Sequence, residues 1–195
     1  MNVLLWLGFA LVNFFLIVLV YKLFGKSGLY AWIAMGTILA NIQVLKSVDF
    51  DLGVITIAAT LGNIMYGTLF LVTDALGEKY GHKDAKKAVY IGFFSLISMV
   101  IIMQISLVFE PNSFDFAQGA LETIFGIVPR IALASLVAYA ISQTLDVYLF
   151  QYLKERTKEK DLWMRNIGST VVSQFVDTII FVPIAFIMIG GIPGG

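Results

Sequence analysis

The sequence contains no cysteine and only one histidine, His82. A chain without cysteine forms no disulfide and offers no thiol nucleophile. One histidine is too few for a histidine-based zinc site. A serine-type intramembrane protease needs a base beside its nucleophile, and His82 lies in a lysine-rich segment that we expect to be exposed. These shortages exclude several kinds of catalytic chemistry, and we expect no cofactor.

Charged residues are scarce as well. They form 13% of the chain and hydrophobic residues form 59%, whereas soluble domains average about 25% charged and about 45–50% apolar residues. The formal net charge is zero, so no overall positive field attracts nucleic acid. The composition therefore predicts an integral membrane protein, surrounded by lipid, that makes no direct contact with nucleic acid.

Six apolar runs are long enough to cross a bilayer, which takes about 20 apolar residues in a helix. The runs are continuously apolar, whereas the strands of a membrane barrel alternate. No connection between them is long enough to form a soluble domain. The sequence thus predicts an all-α integral membrane protein, a single six-span helical bundle over residues 1–195. Its predicted spans cover roughly 3–24, 29–48, 54–76, 87–109, 121–152 and 164–190.

Basic residues are distributed unevenly between the connections. Ten lysines and arginines follow the first, third and fifth runs, whereas the connections on the other side offer only Lys46. Because basic loops remain in the cytoplasm, we expect the segments 77–87 and 153–163 to be cytoplasmic loops of a multi-pass protein of the cell (inner or plasma) membrane. The glycine-rich segment 189–195 either ends the protein or leads to a further helix.

The fifth run carries polar side chains where a membrane helix should be apolar. A charge near the bilayer centre costs about 2.5–3.5 kcal/mol on insertion scales, so we interpret this helix as one wall of a polar cavity. Pro129 lacks an N–H group and should weaken the helix near Gly126. For Ser135 and Ser142 we favour helix packing over ligand contact. The remaining polar residues of interest are Arg130, Tyr139, Gln143 and Asp146.

Two other runs supply polar residues at helical spacing. In the third run, Asn63, Phe70 and Asp74 recur at intervals that place them on one helix face. In the sixth run, Asp177 should reach a depth similar to that of Arg130, so we predict a buried ion pair between them. Pro183 predicts a kink. The alternative is that such pairs only hold the bundle together, although buried ion pairs are often poor stabilisers.

Together these residues have the chemistry to bind a planar heterocycle. Carboxylates accept hydrogen bonds from ring N–H and amino groups, amides serve the carbonyl edge, and aromatic rings cover the faces. The residues alone indicate a carrier for a small polar solute. The predicted substrate-binding residues are Asn63, Tyr66, Phe70, Asp74, Arg130, Tyr139, Gln143, Asp146, Gln174 and Asp177.

Three motifs over residues 60–187 resemble those of the queuosine precursor transporter family, also called the vitamin uptake transporter family. The resemblance implies a fold similar to the substrate-binding subunits of energy-coupling-factor transporters, operation without their coupling module, and a deazaguanine precursor of queuosine in tRNA as cargo. The motifs are Thr73-Asp74 with Glu78, Tyr80 and Gly81; Arg130-Ile131-Ala132 with Ala134, Ser135, Ala138, Tyr139, Gln143 and Asp146; and Ser169-Thr170 with Gln174, Asp177 and Thr178.

Two other classes of protein compete with a stand-alone carrier. An intramembrane aspartyl protease places two aspartates on facing helices, but Asp146 and Asp177 follow Leu145 and Val176 rather than a glycine-rich motif. The stronger rival is a substrate-binding subunit for a vitamin or nucleobase that needs a separate energy-coupling module. The residues leave open that coupling ATPase module and an oligomer of identical chains.

Overall fold

A computed structural model describes residues 2–51, 53, 55–157 and 162–187. The chain divides into two compact units, a first unit from Met1 to Val128 and a second from Pro129 to Gly195. The predictions about the basic residues Lys158 and Lys160 and about segment 189–195 lie outside the described residues. So do the side chains of Gln143 and Asp146.

The first unit begins with a helical hairpin. Helix α1 (Asn2–Gln43) is interrupted at Gly25, whose φ of 58° and ψ of −138° lie in a region that favours glycine. The two arms, 2–24 and 26–43, run in opposite directions. The start of the first arm therefore lies close to the chain that follows the second, and the Asn2 side-chain amide donates to the backbone carbonyl of Asp49 at 2.9 Å. The arms touch so closely that a Cβ at Gly28 would lie 2.4 Å from the Val20 carbonyl oxygen.

A pair of antiparallel strands follows α1. Strand β1 (Ser47–Asp51) pairs with β2 (Thr56–Thr60), with Ser47 opposite Thr60. The prediction of an all-α protein is therefore wrong here. The predicted span 29–48 continues past the end of α1 into β1, and the predicted span 54–76 begins before α2 and includes β2. Threonine, isoleucine and valine favour extended backbone over helix, a preference that hydropathy alone does not register. The T-shaped contact of Trp6 with Phe50, at 5.9 Å between ring centroids, connects this β-hairpin to the first arm.

Two further helices complete the core of the first unit. Helix α2 (Gly62–Tyr80) and helix α3 (His82–Ser106) meet at Gly81. The two helices occupy nearly all of the segment 77–87, so the expectation of a loop there is wrong, whereas its cytoplasmic location stays a prediction. Both helices pack on α1. The shared hydrophobic core consists of Ile17, Leu29, Trp32, Ile33, Ala40, Met65, Val72, Leu76 and Ala88.

The first unit has two distinct ends. The turns at Gly25 and Gly81 lie together, because Lys26 and Asp84 form an ion pair of 2.9 Å; we call this the turn end. Asn2 and the strand pair form the opposite end, which we call the hairpin end. The short helix α4 (Gln118–Phe125) follows α3, and the Gln104 amide donates to its Phe125 carbonyl at 2.7 Å.

Helix α5 (Val128–Thr157) begins after a break at Gly126 and Ile127, so the predicted span 121–152 is two helices rather than one. The expected weakening near Gly126 is confirmed. Pro129 lies in the first turn of α5, where its missing N–H has no partner to lose. Helix α6 (Leu162–Val182) passes at Pro183 into a π-helical turn, Pro183–Ile187, and such turns are a recognised cause of kinks.

Three helical stretches within the described residues are long and apolar enough to cross a membrane. They are Asn2–Gln43 with its two arms, His82–Ser106, and Gln118–Ser142. The helical membrane character that the composition predicts is confirmed, whereas the number of spans stays a prediction.

Candidate functional site

Helix α2 presents a polar face directed away from the core of the first unit. Ile64, Met65 and Val72 are buried, whereas Asn63 and Asp74 lie on the exposed side of the helix. One helix thus holds Asn63, Phe70 and Asp74 at the spacing that places them on a common face. Tyr66 differs from this group, because it is half-buried and packs against the core of the first unit.

The second unit brings together α5 and α6 through a polar contact. The hydroxyl of Ser142 lies 3.0 Å from an Asp177 carboxylate oxygen and 3.2 Å from the Tyr139 carbonyl. Ser142 and Ser173 are each only 5% exposed. A serine hydroxyl has one hydrogen to donate, and donation to Asp177 fixes the orientation of the carboxylate. The predicted partner of Asp177 was Arg130; the hydrogen bond that the structure describes comes from Ser142.

One side of α5 is buried from Val128 to Ser142. Ala134 and Ala138 are fully buried, and Ser135 is 9% exposed, as expected of small residues in helix packing. The preference for packing over ligand contact at Ser135 and Ser142 stays a prediction. Arg130 and Tyr139 are half-buried, and Gln174 on α6 is exposed. The ten predicted site residues are thus divided between the units: Asn63, Tyr66, Phe70 and Asp74 on α2, and Arg130, Tyr139, Gln143, Asp146, Gln174 and Asp177 on α5 and α6.

A polar network at the turn end was not predicted. Lys26 forms its ion pair with Asp84, which also accepts a hydrogen bond from the Tyr30 hydroxyl. The Lys26 ammonium lies 5.1 Å from the centroid of the Tyr80 ring. The Lys87 ammonium lies 5.4 Å from that of Tyr30. Contacts between cations and rings of this kind stabilise modestly at exposed sites.

Lys79 joins the same network from the last turn of α2. Its ammonium donates to the Tyr21 hydroxyl, which lies 3.2 Å from the Tyr80 hydroxyl. The hydrogen bond to Tyr21 raises the pKa of Lys79 above its ordinary value. A sequence feature that could have predicted this network is that Tyr21 and Tyr80 each adjoin a lysine at the end of an apolar run. Aromatic residues are enriched at such membrane interfaces.

Comparison with known proteins provides the family. A family model described as "Putative vitamin uptake transporter" matches residues 60–193, which is most of the chain. The chain belongs to this transporter family. The match begins at the end of β2 and continues through α6, so it contains every predicted site residue. The resemblance drawn from the three motifs is confirmed, and membership of the family indicates a membrane transport protein rather than an enzyme.

Relatives within the family extend the match. The chain is 50% identical over 183 residues to the "Probable queuosine precursor transporter" of Bacillus subtilis (strain 168), covering 93% of this chain and 78% of the relative. It is 28% identical over 155 residues to the "Queuosine precursor transporter" of Escherichia coli (strain K12), covering 80% of this chain and 67% of that relative. No solved structure matches the chain.

Proposed function

We propose that the protein imports a queuosine precursor, a deazaguanine base, across the cell membrane for tRNA modification. The names of the relatives from Bacillus subtilis and Escherichia coli support this cargo. The structural observation that carries the proposal is the Asp177 carboxylate, held by Ser142 where α5 meets α6. Polar and charged groups kept within apolar helices are costly and typically mark a substrate path.

The chemistry of the cargo agrees with such a carboxylate. The guanine-like edge presents adjacent N–H donors, and a carboxylate accepts two parallel hydrogen bonds from such an edge. Ser142 occupies one of about four acceptor positions on the Asp177 oxygens, so the carboxylate retains acceptor capacity for a ligand. We assign Asp177 and Asp146 to the donor edge of the base.

In the proposal, the other predicted residues serve the remaining parts of the base. Gln143, Gln174 and Asn63 supply amides for the carbonyl edge. Rings come from Tyr66, Phe70 and Tyr139. Arg130 and Asp74 balance charge along the path. The packing of Tyr66 on the core of the first unit makes it the weakest member of the aromatic set.

The carrier in this proposal is a six-span protein of the inner or plasma membrane, with the turn end of the first unit in the cytoplasm. Six lysines lie at or near the turn end, whereas Lys46 follows α1 near the hairpin end, and basic residues remain on the cytoplasmic side. Because the chain lacks cysteine, Lys83→Cys and Asn112→Cys can be labelled without background. An impermeant thiol reagent on intact cells should modify only the Asn112 position. Labelling at the Lys83 position instead contradicts the orientation.

Complementation tests the cargo. The host makes no queuosine precursor and lacks its own carrier, and the medium contains a trace of deazaguanine precursor. Expression of this chain should restore queuosine in tRNA, whereas Asp177→Asn and Asp146→Asn should not. The Bacillus subtilis relative serves as a parallel expression control. Unmodified tRNA with the wild-type chain present in the membrane, alongside restoration by the relative, contradicts the cargo.

A second arm of the experiment tests the energy source. If the protein is a carrier that works alone, as proposed, the purified protein in vesicles should take up precursor without any added ATPase. Uptake that appears only after an energy-coupling module is added supports the rival, a binding subunit. Excess guanine should compete, since it shares the donor edge, and adenine should compete poorly because it leaves the half-buried Asp177 carboxylate unpaired.

A further inference from the structure

The outward face of α3 carries a stripe of exposed side chains that changes from basic to apolar along the helix. Lys83 and Lys86 are exposed in its first turns. Apolar side chains follow on the same face, each between 45% and 74% exposed. Positions three or four residues apart lie on one side of a helix, so the stripe is continuous. Its apolar members are Tyr90, Phe94, Ile97, Ile101 and Ile105.

The length of α3 places the basic part of the stripe at a membrane boundary. Its 25 residues span about 37 Å at about 1.5 Å per residue. The hydrocarbon core is about 30 Å thick, so roughly one helical turn remains outside it. With Ser106 at the far boundary, Lys86 lies at the near one, Lys83 among the headgroups and Tyr90 one turn inside, a depth at which aromatic residues are enriched.

The lysines of the stripe differ from those of the turn-end network. Lys26 is engaged with Asp84, and Lys79 is engaged with Tyr21. Within the described residues, the contact of Lys86 is with the face of the Tyr90 ring, 5.9 Å from its centroid. A ring contact of that length uses none of the three N–H donors of the ammonium, so they are available to an outside acceptor. The stripe thus combines unneutralised cationic charge with an adjoining apolar track.

We propose that this stripe binds an anionic phospholipid of the cytoplasmic leaflet. Its phosphate accepts hydrogen bonds from Lys83 and Lys86, and an acyl chain lies along Tyr90 and Phe94. The charges are complementary, and the apolar track continues the membrane-crossing surface of the same helix. The choice of leaflet rests on the proposed orientation, whereas the lipid site itself is independent of the transported base.

Lipid competition on the purified full chain tests this site. Native mass spectrometry compares retention of phosphatidylglycerol with that of phosphatidylcholine having the same acyl chains. Wild type should prefer phosphatidylglycerol. The double variant Lys83→Gln/Lys86→Gln should lose roughly 25-fold of that preference, since each lysine near an anionic surface contributes about a fivefold factor. The double variant Lys83→Arg/Lys86→Arg should retain it, and Lys46→Gln provides the matched control away from the turn end.

Three outcomes overturn the proposal. One is an unchanged preference in the double glutamine variant. Another is competition by inorganic phosphate as strong as that by the lipid, which reduces the site to a simple anion site without the apolar track. The third is dimerisation of the wild-type chain through the stripe, abolished by Phe94→Ser, with no lipid retained. Because the readout is lipid binding, failure of the cargo proposal leaves the result unaffected.

Discussion

Two aspartates, one in each unit, show how differently this protein holds a carboxylate. Asp84 in the first unit lies near the start of α3 with Lys26 at 2.9 Å and the Tyr30 hydroxyl as a second donor. Asp177 in the second unit lies within an apolar stretch of α6 and accepts from the Ser142 hydroxyl at 3.0 Å. The first has a cation as its partner, and the second has a neutral hydroxyl.

This difference separates a structural role from a functional one. An ion pair near a helix end is partly solvated, contributes little, and serves mainly to connect the two turns. The Asp177 carboxylate lies inside an apolar helix, and the Ser142 hydroxyl orients it without neutralising its charge. Such an arrangement does not stabilise the fold, so stability does not explain its presence. We therefore expect substitutions at Asp177 and its partner to change transport, and substitutions in the first unit to change stability.

The largest effect is expected from Asp177→Asn, which preserves shape and removes the charge. Initial uptake of labelled precursor should fall by at least about 100-fold, because an amide cannot accept both donors of the base. The amount of protein in the membrane should stay within about twofold, as measured by quantitative immunoblotting. Disappearance of the protein from the membrane assigns Asp177 a structural role and removes the contrast with Asp84.

Gly28→Ala should produce the second largest effect, on stability. The added Cβ meets the Val20 carbonyl oxygen at 2.4 Å, and overpacking of this kind costs about 1–3 kcal/mol. Thermal unfolding of the purified protein measures the loss. Gly8→Ala is the matched control, because nothing lies within 4 Å of its Cβ and alanine favours helix. Equal unfolding temperatures for the two variants contradict the close packing of the α1 arms.

Ser142→Ala should have an intermediate effect on transport. Removal of the hydroxyl leaves Asp177 charged but less well oriented, so apparent affinity should fall by about tenfold, in the range of one hydrogen bond to a charged group. Concentration-dependent uptake measures this change. Thr178→Ala is the control, because that hydroxyl bonds the Gln174 carbonyl of its own helix at 3.0 Å and its loss should leave affinity unaltered. A similar loss in both variants argues against orientation by Ser142.

Asp84→Asn is expected to have the smallest effect. Uptake should remain within about twofold of wild type, and the unfolding temperature should fall only slightly, because a partly solvated ion pair contributes little. A double-mutant cycle with Lys26→Gln isolates the pair. A loss of uptake as large as that of Asp177→Asn shows that the turn end takes part in transport and ends the separation of roles.

Several features of the fold followed from the sequence, and others did not. Hydropathy identified the apolar runs, and the prolines located the break at Gly126 and the change at Pro183. The β-hairpin at Ser47–Thr60 was missed because its apolar residues resemble a continuing span when only hydropathy is counted. The helical ends around Gly81 were missed because lysine-rich segments suggest a loop, although lysine is a good helix former.

The candidate site was likewise predicted only in part from the sequence. Spacing correctly grouped Asn63, Phe70 and Asp74, since helical periodicity alone places them on one face. The partner of Asp177 was assigned to Arg130 from depth along the helix, but the depth of two residues does not fix the rotation of their helices. The structure brings Ser142 to the carboxylate instead.

The sequence by itself determined the class of protein, the apolar runs, the asymmetry of basic charge and, through three motifs, the family. These properties depend on composition and local order along the chain. Only the tertiary structure decided that the turns at Gly25 and Gly81 meet in a network of lysines, tyrosines and Asp84, and that Ser142 reaches Asp177. Such contacts join residues 58 and 35 positions apart, and helix packing, which local sequence does not encode, sets which of them form.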